Sequence, residues 1–267
     1  DVAPSRGLGD VYKRQALQSA KTKPEEIDLI LVATCSPDTF FPSTACQVQA
    51  VLGAKNATAF DMSAACAGFL FALNTAYTYI NSGIYKKVLV IGADSMTRFL
   101  DWQDRGTCVL FGDGAGAVIL EASETGSFSF VQHADGGRGS VLSCTVGYQE
   151  KSSYLQMDGQ EVFKFALKTV PECIEEVMKK GNIEKERVKY YVLHQANSRI
   201  ISGVAKKLRE KEEKFPMNIE KYGNTSAASI PILLDEMHKE GKLEKGDILV
   251  LAGFGAGLTW GSTLLQW

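Results

Sequence analysis

Two stretches of this 267-residue chain carry the same series of sequence signals, about 160 residues apart. Each stretch has an apolar run, a loop, an element that begins with Ser-Ala-Ala, a turn marked by glycine and a second apolar run. The runs cover residues 27–33 and 88–92 in the first stretch, and residues 188–194 and 248–253 in the second. Recurrence of these features in one order and at nearly constant spacing indicates an internal duplication.

The apolar runs predict the fold class. Continuous apolar strands that alternate with helices are typical of mostly parallel sheets covered by helices on both faces. We therefore predict a layered α/β fold with two matching halves, at residues 1–150 and 151–267, and mixed but mostly parallel sheets. Residues 112–117 (GDGAGA) are predicted to precede a strand at 118–120, and the polar, glycine-rich residues 126–153 to form a loop or a short hairpin.

Composition narrows the classes of partner and site. With 29 Lys and Arg against 31 Asp and Glu, the formal charge is −2, which argues against the broad positive field that bulk nucleic-acid binding needs. No apolar run reaches the roughly 18–20 residues of a membrane-spanning helix, so we predict a cytoplasmic protein that binds neither nucleic acid nor membrane. The six cysteines contain no CxxC pair, so neither a metal site nor a disulfide framework is expected, and most are predicted to be buried packing residues.

One cysteine, Cys66, has a sequence context that suits nucleophilic chemistry. It follows Ser-Ala-Ala and directly precedes a helical pattern, and the unpaired N–H groups of a helix N-terminus lower the pKa of a thiol. His194 closes an apolar run of the second unit, and Asn224 lies ahead of the element that matches the Cys66 helix. Each residue alone could be ordinary packing or an ordinary turn. Because equivalent loops of two matching halves can converge, we predict that the three side chains share one pocket.

These residue types fit a reaction of thioesters. A thiolate can accept an acyl group, and neutral His and Asn side chains can donate hydrogen bonds to a thioester carbonyl that gains negative charge. Such donors favour an enolate, which the decarboxylation of a malonyl unit requires. Backbone N–H groups of the glycine-rich residues 253–257 could complete an oxyanion hole. A tight turn after a buried strand is the alternative for these glycines.

Several longer strings indicate a family. They are AACAGF at residues 64–69, DRGT at 104–107, FGDGAGA at 111–117, HQAN at 194–197 and GNTSAAS at 223–229. With these strings the chain resembles the 3-oxoacyl-acyl-carrier-protein synthase III family of the thiolase superfamily, the condensing enzymes that start type II fatty-acid synthesis. The resemblance extends from residue 27 to residue 267 and implies a thiolase-like αβαβα fold.

The resemblance implies an acyltransferase that works in two steps. Cys66 would take an acyl group from acetyl-CoA or another short acyl-CoA, and malonyl-acyl-carrier protein would then be decarboxylated and condensed with it. By the same resemblance His194 and Asn224 would stabilise the enolate, and the N–H groups of Cys66 and Gly255 would hold the oxyanion. Acyl-CoA is then a substrate, and no bound cofactor is expected.

The resemblance also implies contact residues. Arg105 matches the residue that packs on the CoA adenine, Asn197 a polar contact of pantetheine, and Phe41 an aromatic that crosses a homodimer interface to shape the acyl pocket. The basic surface that meets the acidic acyl carrier protein would comprise Lys164, Arg199, Lys206 and Lys207. The last three also have the i, i+7 and i+8 spacing of one helix face. A solvated face without a partner is the alternative.

The start of the chain departs from the pattern of the family. Residues 1–15 lack the family's opening strand and the Trp- and Arg-bearing segment that follows it, so we expect an N-terminal truncation and an exposed sheet edge in the first half.

Two other functions stay open. A related CoA-dependent ketosynthase of secondary metabolism would use the same Cys, His and Asn. A truncated, non-catalytic binding module is the alternative from a different functional class.

Overall fold

The computed structural model describes residues 15–123, 125–145 and 154–267. The strands are β1 (Leu29–Ala33), β2 (Thr58–Met62), β3 (Lys87–Ser95), β4 (Asp113–Glu121), β5 (Phe128–Ala134), β6 (Leu142–Ser143), β7 (Gln156–Met157), β8 (Val188–Leu193), β9 (Ile248–Gly255) and β10 (Thr259–Gln266). The helices are α1 (Thr44–Leu52), α2 (Gly68–Asn81), α3 (Gly159–Gly181), α4 (Ser198–Leu208), α5 (Ile219–Tyr222) and α6 (Ser229–Lys239). Residues 15–19 are also helical.

Two four-stranded mixed sheets form the framework. The first has the order β2-β1-β3-β4, in which β1 is parallel to β2 and β3, and β4 is antiparallel to β3. The second has the order β5-β10-β9-β8, in which β8 and β9 are parallel and β10 is antiparallel to both of its neighbours. The repeated apolar runs form the parallel pairs β1–β3 and β8–β9.

Alternating side chains on the strands place the helices in layers. Leu31 of β1 and Leu251 of β9 belong to one buried cluster with residues of α2 and α6, so these two helices lie between the sheets. Val32 of β1 packs on the opposite face with residues of α1. Val250 of β9 packs with residues of α3 and α4. The layers therefore run helix, sheet, helix, sheet, helix, and the predicted αβαβα class is confirmed.

The two halves share an uncommon backbone conformation at matching positions. Short 3-10 turns at Ala65–Ala67 and Ser226–Ala228 lead directly into α2 and α6. The first residue of each turn has φ in the left-handed region, 46° at Ala65 and 53° at Ser226, which residues other than glycine seldom adopt. The two turns pack against each other. The segments that match in structure are Ala65–Ala67 and Ser226–Ala228, so the two Ser-Ala-Ala strings of the sequence are out of register by two residues.

The prediction for the glycine run at residues 112–117 is wrong. It does not precede the strand, because β4 begins at Asp113 and contains most of the run. A Cβ at Gly116 would lie 2.9 Å from the carbonyl carbon of Pro231 in α6. Glycine therefore serves here to let a strand and a helix approach closely.

The prediction of a loop or short hairpin over residues 126–153 is also wrong in part. Residues 128–134 form β5, which pairs with β10 in the second sheet.

The division into halves at residue 150 stays a prediction, since residues 146–153 lie outside the described residues. The opening segment 1–14 also lies outside the described residues, so the predicted truncation and exposed sheet edge stay predictions. In the described part of the chain, β4 is at one edge of the first sheet. None of the helices formed by the described residues is long and apolar enough to cross a membrane.

Gly92 lets strand β3 touch the turn of the C-terminal half. A Cβ at this position would lie 2.2 Å from the carbonyl oxygen of Ala227. We expect Gly92→Ala to lower the free energy of unfolding by about 1–3 kcal/mol, because a buried turn must move to admit the methyl group. Urea denaturation measures the loss. Gly136→Ala is the control, since a Cβ there meets no atom within 4 Å, and equal stability of the two variants would contradict the prediction.

Candidate active site

A cavity of about 180 Å³ brings together residues of both halves. Cys66, His194 and Asn224 line it, together with Phe254 and Gly255 of β9. The three side chains that the sequence predicts to converge therefore face a common space, although they come from three separate segments of the chain.

Cys66 lies in the turn before α2 and its side chain is buried. The end of β9 runs directly beside it. A Cβ at Gly255 would lie 2.6 Å from the amide nitrogen of Cys66 and 3.0 Å from that of Ala67. Only glycine permits this approach, which sets the backbones of Cys66 and Gly255 side by side.

Burial decides the protonation of the thiol. It raises the pKa of Cys66 to about 12; the neighbouring Ser226 hydroxyl lowers that pKa, the Asp94 carboxylate raises it, and a backbone contact lowers it. The prediction that the helix N-terminus leaves Cys66 with a lowered pKa is therefore wrong. The cost of burying a thiolate exceeds the stabilisation that nearby N–H groups supply, so Cys66 is a thiol at neutral pH.

His194 directly follows β8, and Ser229 at the start of α6 orients its ring. Nδ1 of His194 lies 2.7 Å from Oγ of Ser229, and this oxygen also accepts a hydrogen bond from the amide of Gln195 at 3.3 Å. When the Ser229 hydroxyl donates to Nδ1, the ring proton of a neutral His194 lies on Nε2, from which it can be donated into the cavity. Burial lowers the pKa of His194 to about 3, so the ring is a neutral donor.

Asn224 joins the two halves through its backbone. Its amide donates to the carbonyl oxygen of Leu110 at 2.8 Å, and its carbonyl oxygen accepts from the amide of Gly112 at 2.9 Å. The side-chain Oδ1 accepts from the amide of Ser226 at 2.9 Å. Because Oδ1 is used inside the turn, Nδ2 is the end of the side chain that can donate into the cavity.

A second cavity of about 110 Å³ adjoins the first, and Cys66 lines both. Its wall is mostly apolar and includes Met96, Phe99, Phe111 and Leu142. The site therefore offers a nucleophile between an apolar chamber and a chamber with two neutral hydrogen-bond donors. Such an arrangement can hold an acyl group on sulfur and stabilise negative charge on a neighbouring carbonyl oxygen.

Comparisons with known proteins identify the family. The sequence model of the 3-oxoacyl-(acyl-carrier-protein) synthase III family matches residues 60–136 of this chain. The family model of the C-terminal part of these enzymes matches residues 178–267. The beta-ketoacyl-(acyl-carrier-protein) synthase III of Clostridium acetobutylicum is 49% identical over 97% of this chain and 83% of its own length. This chain belongs to the 3-oxoacyl-acyl-carrier-protein synthase III family.

Solved structures agree with this membership. The 3-oxoacyl-(acyl-carrier-protein) synthase III of Aquifex aeolicus has a TM-score of 0.94 and 45% identity, and covers 100% of this chain and 86% of its own. The priming beta-ketosynthase of the R1128 polyketide pathway has a TM-score of 0.91 and 34% identity, and covers 99% and 84%. As a synthase III the chain is an acyltransferase, a condensing enzyme that initiates fatty-acid synthesis, and its thiolase-like fold is confirmed.

The contact residues predicted for synthase III lie in different surroundings. Asn197 lines the cavity and caps α4, since its side chain accepts from the amide of Arg199 at 2.8 Å. Arg105 is exposed beside Gly106, which also lines the cavity. Phe41 is 87% exposed and lines neither chamber beside Cys66 in the part of the chain that the structure describes.

The four predicted basic residues lie exposed on two adjacent helices. Lys164 belongs to α3, and α4 carries Arg199, Lys206 and Lys207. The helices touch where a Cβ at Gly203 would lie 2.5 Å from Leu167. Nζ of Lys164 is 2.9 Å from the carboxylate of Glu161. Among the described residues, no carboxylate lies within salt-bridge distance of the three α4 cations.

Several residues around the site were not predicted. Ser229 belongs to the GNTSAAS string, and its position relative to the histidine depends on how α6 packs beside β8. Asp94 has no motif that marks it. The prediction for the remaining cysteines is wrong in part, because Cys46 and Cys144 are exposed, while Cys35 lines the apolar chamber.

The pKa of Cys66 predicts how its reactivity depends on pH. We expect alkylation by iodoacetamide to accelerate from about pH 7 to about pH 10, because the thiolate fraction of a group with a pKa of about 12 still grows over this range. Mass spectrometry of the peptide that contains residue 66 measures the rate, and Cys66→Ser supplies the background. A rate that levels off below pH 9 would show that the thiolate is far more stable than its burial implies.

Proposed function

We propose that this synthase III primes fatty-acid synthesis by transferring a short acyl group from CoA to Cys66 and condensing it with malonyl-acyl-carrier protein. One observation carries the proposal: a thiol and two neutral donors line one cavity, and an apolar chamber adjoins the thiol. The family relationship supports acyl-CoA and acyl carrier protein as the classes of partner.

The first step transfers the acyl group. The sulfur of Cys66 attacks the thioester carbon, the bond from that carbon to the CoA sulfur breaks, and the thiol proton leaves as part of CoA–SH. The amide N–H groups of Cys66 and Gly255 would stabilise the oxyanion of the tetrahedral intermediate. The acyl chain would enter the apolar chamber next to the sulfur.

The second step forms the carbon–carbon bond. The malonyl thioester loses CO2, and the electron pair of the broken bond becomes an enolate, whose oxygen would accept hydrogen bonds from Nε2 of His194 and Nδ2 of Asn224. The enolate carbon attacks the acyl carbon, and the released Cys66 thiolate takes up a proton. With a pKa of about 3, His194 stays a neutral donor across the physiological pH range. Loss of CO2 drives the condensation, and neither step as proposed uses a bound cofactor.

Substitutions separate the two steps. Cys66→Ala should abolish acylation of the protein by acetyl-CoA, as detected by intact-protein mass spectrometry. His194→Ala should still be acylated but should lose about 100-fold or more of its condensation rate, because one of two enolate donors is gone. His238→Ala is the control, since this exposed histidine lies on α6 outside both chambers.

Condensation by His194→Ala at the unchanged rate would contradict the donor role. If the wild-type protein is not acylated by any acyl-CoA, the non-catalytic binding module becomes the better hypothesis.

A ketosynthase of secondary metabolism is the second candidate, because the R1128 priming enzyme shares the fold at 34% identity. Acetyl-CoA, a branched short acyl-CoA and a long acyl-CoA, each offered with malonyl-acyl-carrier protein, distinguish the two functions. Product from the long chain alone would reject the priming function.

The contact residues complete the proposal. Arg105 would pack on the CoA adenine at the mouth of the cavity, and Asn197 would contact pantetheine. Phe41 and the adjacent Phe40 are 87% and 76% exposed, and two neighbouring exposed aromatic rings suit a buried interface. We propose a homodimer in which Phe41 reaches the partner's acyl chamber. Cytoplasmic location and the halves 1–150 and 151–267 are parts of the same proposal.

The basic surface on α3 and α4 suits an acidic carrier protein. We expect Arg199→Glu combined with Lys207→Glu to raise the KM for malonyl-acyl-carrier protein about tenfold or more, because like charges now face the acidic partner. The KM for malonyl-CoA should change little, since CoA lacks the protein surface. Lys55→Glu, an exposed lysine between α1 and β2, is the control. An equal rise for both malonyl substrates would assign the effect to the active site and not to carrier-protein docking.

A further inference from the structure

Asp94 is a buried carboxylate that the proposed steps do not use. It lies near the end of β3 and is 4% exposed. No lysine, arginine or histidine of the described residues forms a salt bridge with it. A charge without a cationic partner in a protein interior needs several hydrogen-bond donors. Four donors approach Oδ1 of Asp94 and one approaches Oδ2.

One oxygen holds the segment that follows β1. Oδ1 accepts from the amide of Cys35 at 2.8 Å and from the Ser36 hydroxyl at 2.8 Å. The Thr34 hydroxyl donates to the same oxygen at 3.1 Å, and the Cys35 thiol lies 3.4 Å from it. Because Cys35 lines the apolar chamber beside Cys66, Oδ1 fixes part of the wall that would surround the acyl group.

The other oxygen holds the turn of the C-terminal half. Oδ2 accepts from the amide of Ala227 at 3.2 Å. The preceding residue, Ser226, lines the same apolar chamber, and its amide donates to Oδ1 of Asn224. One carboxylate therefore connects the acyl chamber to the turn that orients the Asn224 side chain, across the boundary between the halves.

We propose that Asp94 is a positioning residue of the condensation step, which sets the Asn224 turn relative to the acyl chamber beside Cys66. This inference rests on the proposed function. Both oxygens must accept, since donors approach each of them. An Asn side chain can accept only through one of its two terminal atoms, and its NH2 group would face a donor at the other.

The charge of Asp94 also acts on the nucleophile. The titratable groups that face it are the thiols of Cys35, from the segment after β1, and Cys66, from the turn before α2. Burial is the largest cause of the raised pKa of each thiol, and the Asp94 carboxylate adds to it. Asp94 therefore holds the site in place while it disfavours the Cys66 thiolate, and these two effects can be measured separately.

Asp94→Asn tests both effects. We expect acylation of Cys66 by acetyl-CoA to be retained, and condensation with malonyl-acyl-carrier protein to fall about tenfold or more, because the Asn224 turn loses its anchor. We also expect alkylation of Cys66 by iodoacetamide to shift to lower pH, because a neighbouring negative charge is gone. A merely structural role would not move this pH dependence. Thermal unfolding establishes that the variant is folded.

Asp61→Asn is the matched control. Asp61 is a partly buried carboxylate on β2 of the same sheet, separated from β3 by β1. It also accepts hydrogen bonds from backbone amides, those of Thr44 and Ala45 at 2.8 and 2.7 Å. It is not among the groups that shift the pKa of Cys66. We expect this variant to keep the unchanged ratio of condensation to acylation and the unchanged alkylation profile.

Thr34→Val separates geometry from charge and serves if Asp94→Asn fails to fold. It removes one donor to Oδ1 and keeps the carboxylate, so condensation should fall by a smaller factor while alkylation keeps its pH dependence. Equal losses of acylation and condensation in folded Asp94→Asn, or an unchanged alkylation profile, would overturn the inference, as would full condensation activity of Thr34→Val. Alkylation of Cys66 needs no substrate, so its pH dependence tests the role of Asp94 even without an acylation reaction. Failure of the wild-type protein to be acylated would overturn the proposed function instead.

Discussion

The contact between two backbone turns, Ala65–Ala67 and Ser226–Ala228, is the constraint on which the rest of the molecule depends. The turns meet between the sheets, and glycine at residues 92 and 255 gives them room, since a Cβ at either position would collide with the opposite backbone. A close-packed interior cannot absorb such a collision without moving whole elements. The same contact brings Cys66 next to the turn that orients Asn224, so the stability of the core and the geometry of the site depend on one interface.

Burial at that interface also sets the electrostatic character of the site. Cys66 is a protonated thiol and His194 a neutral imidazole, because both lie where a charge would lose its hydration. Neutral donors are well suited to an enolate that exists only briefly, since they need not be desolvated again when charge develops on the substrate. Asp94 is the exception to this neutral surrounding, and its many hydrogen bonds explain how a carboxylate is tolerated there.

The sequence predicts the architecture well and its glycine-rich centre poorly. Duplicated apolar runs mark the strands at the middle of each sheet, because hydrophobic runs of this length need cover on both faces. Residues 112–117 were placed before the strand, whereas β4 already begins at Asp113 and its glycines clear space for α6. β5 was missed because residues 126–153 are rich in glycine and polar side chains, and only pairing with β10 makes part of them a strand.

Residue types and local strings are enough to predict the family and the convergence of Cys66, His194 and Asn224 on one cavity, because short motifs mark these three residues. They are the proposed nucleophile and the two proposed hydrogen-bond donors. The pKa of Cys66, the surroundings of the His194 ring and the contacts of Asp94 are decided only by the tertiary structure. Each of these depends on burial and on hydrogen-bond partners from segments far apart in the chain, such as Ser229 for the histidine and Ala227 for Asp94. Local sequence contains no information on which distant groups will exclude water from a side chain or donate a proton to it.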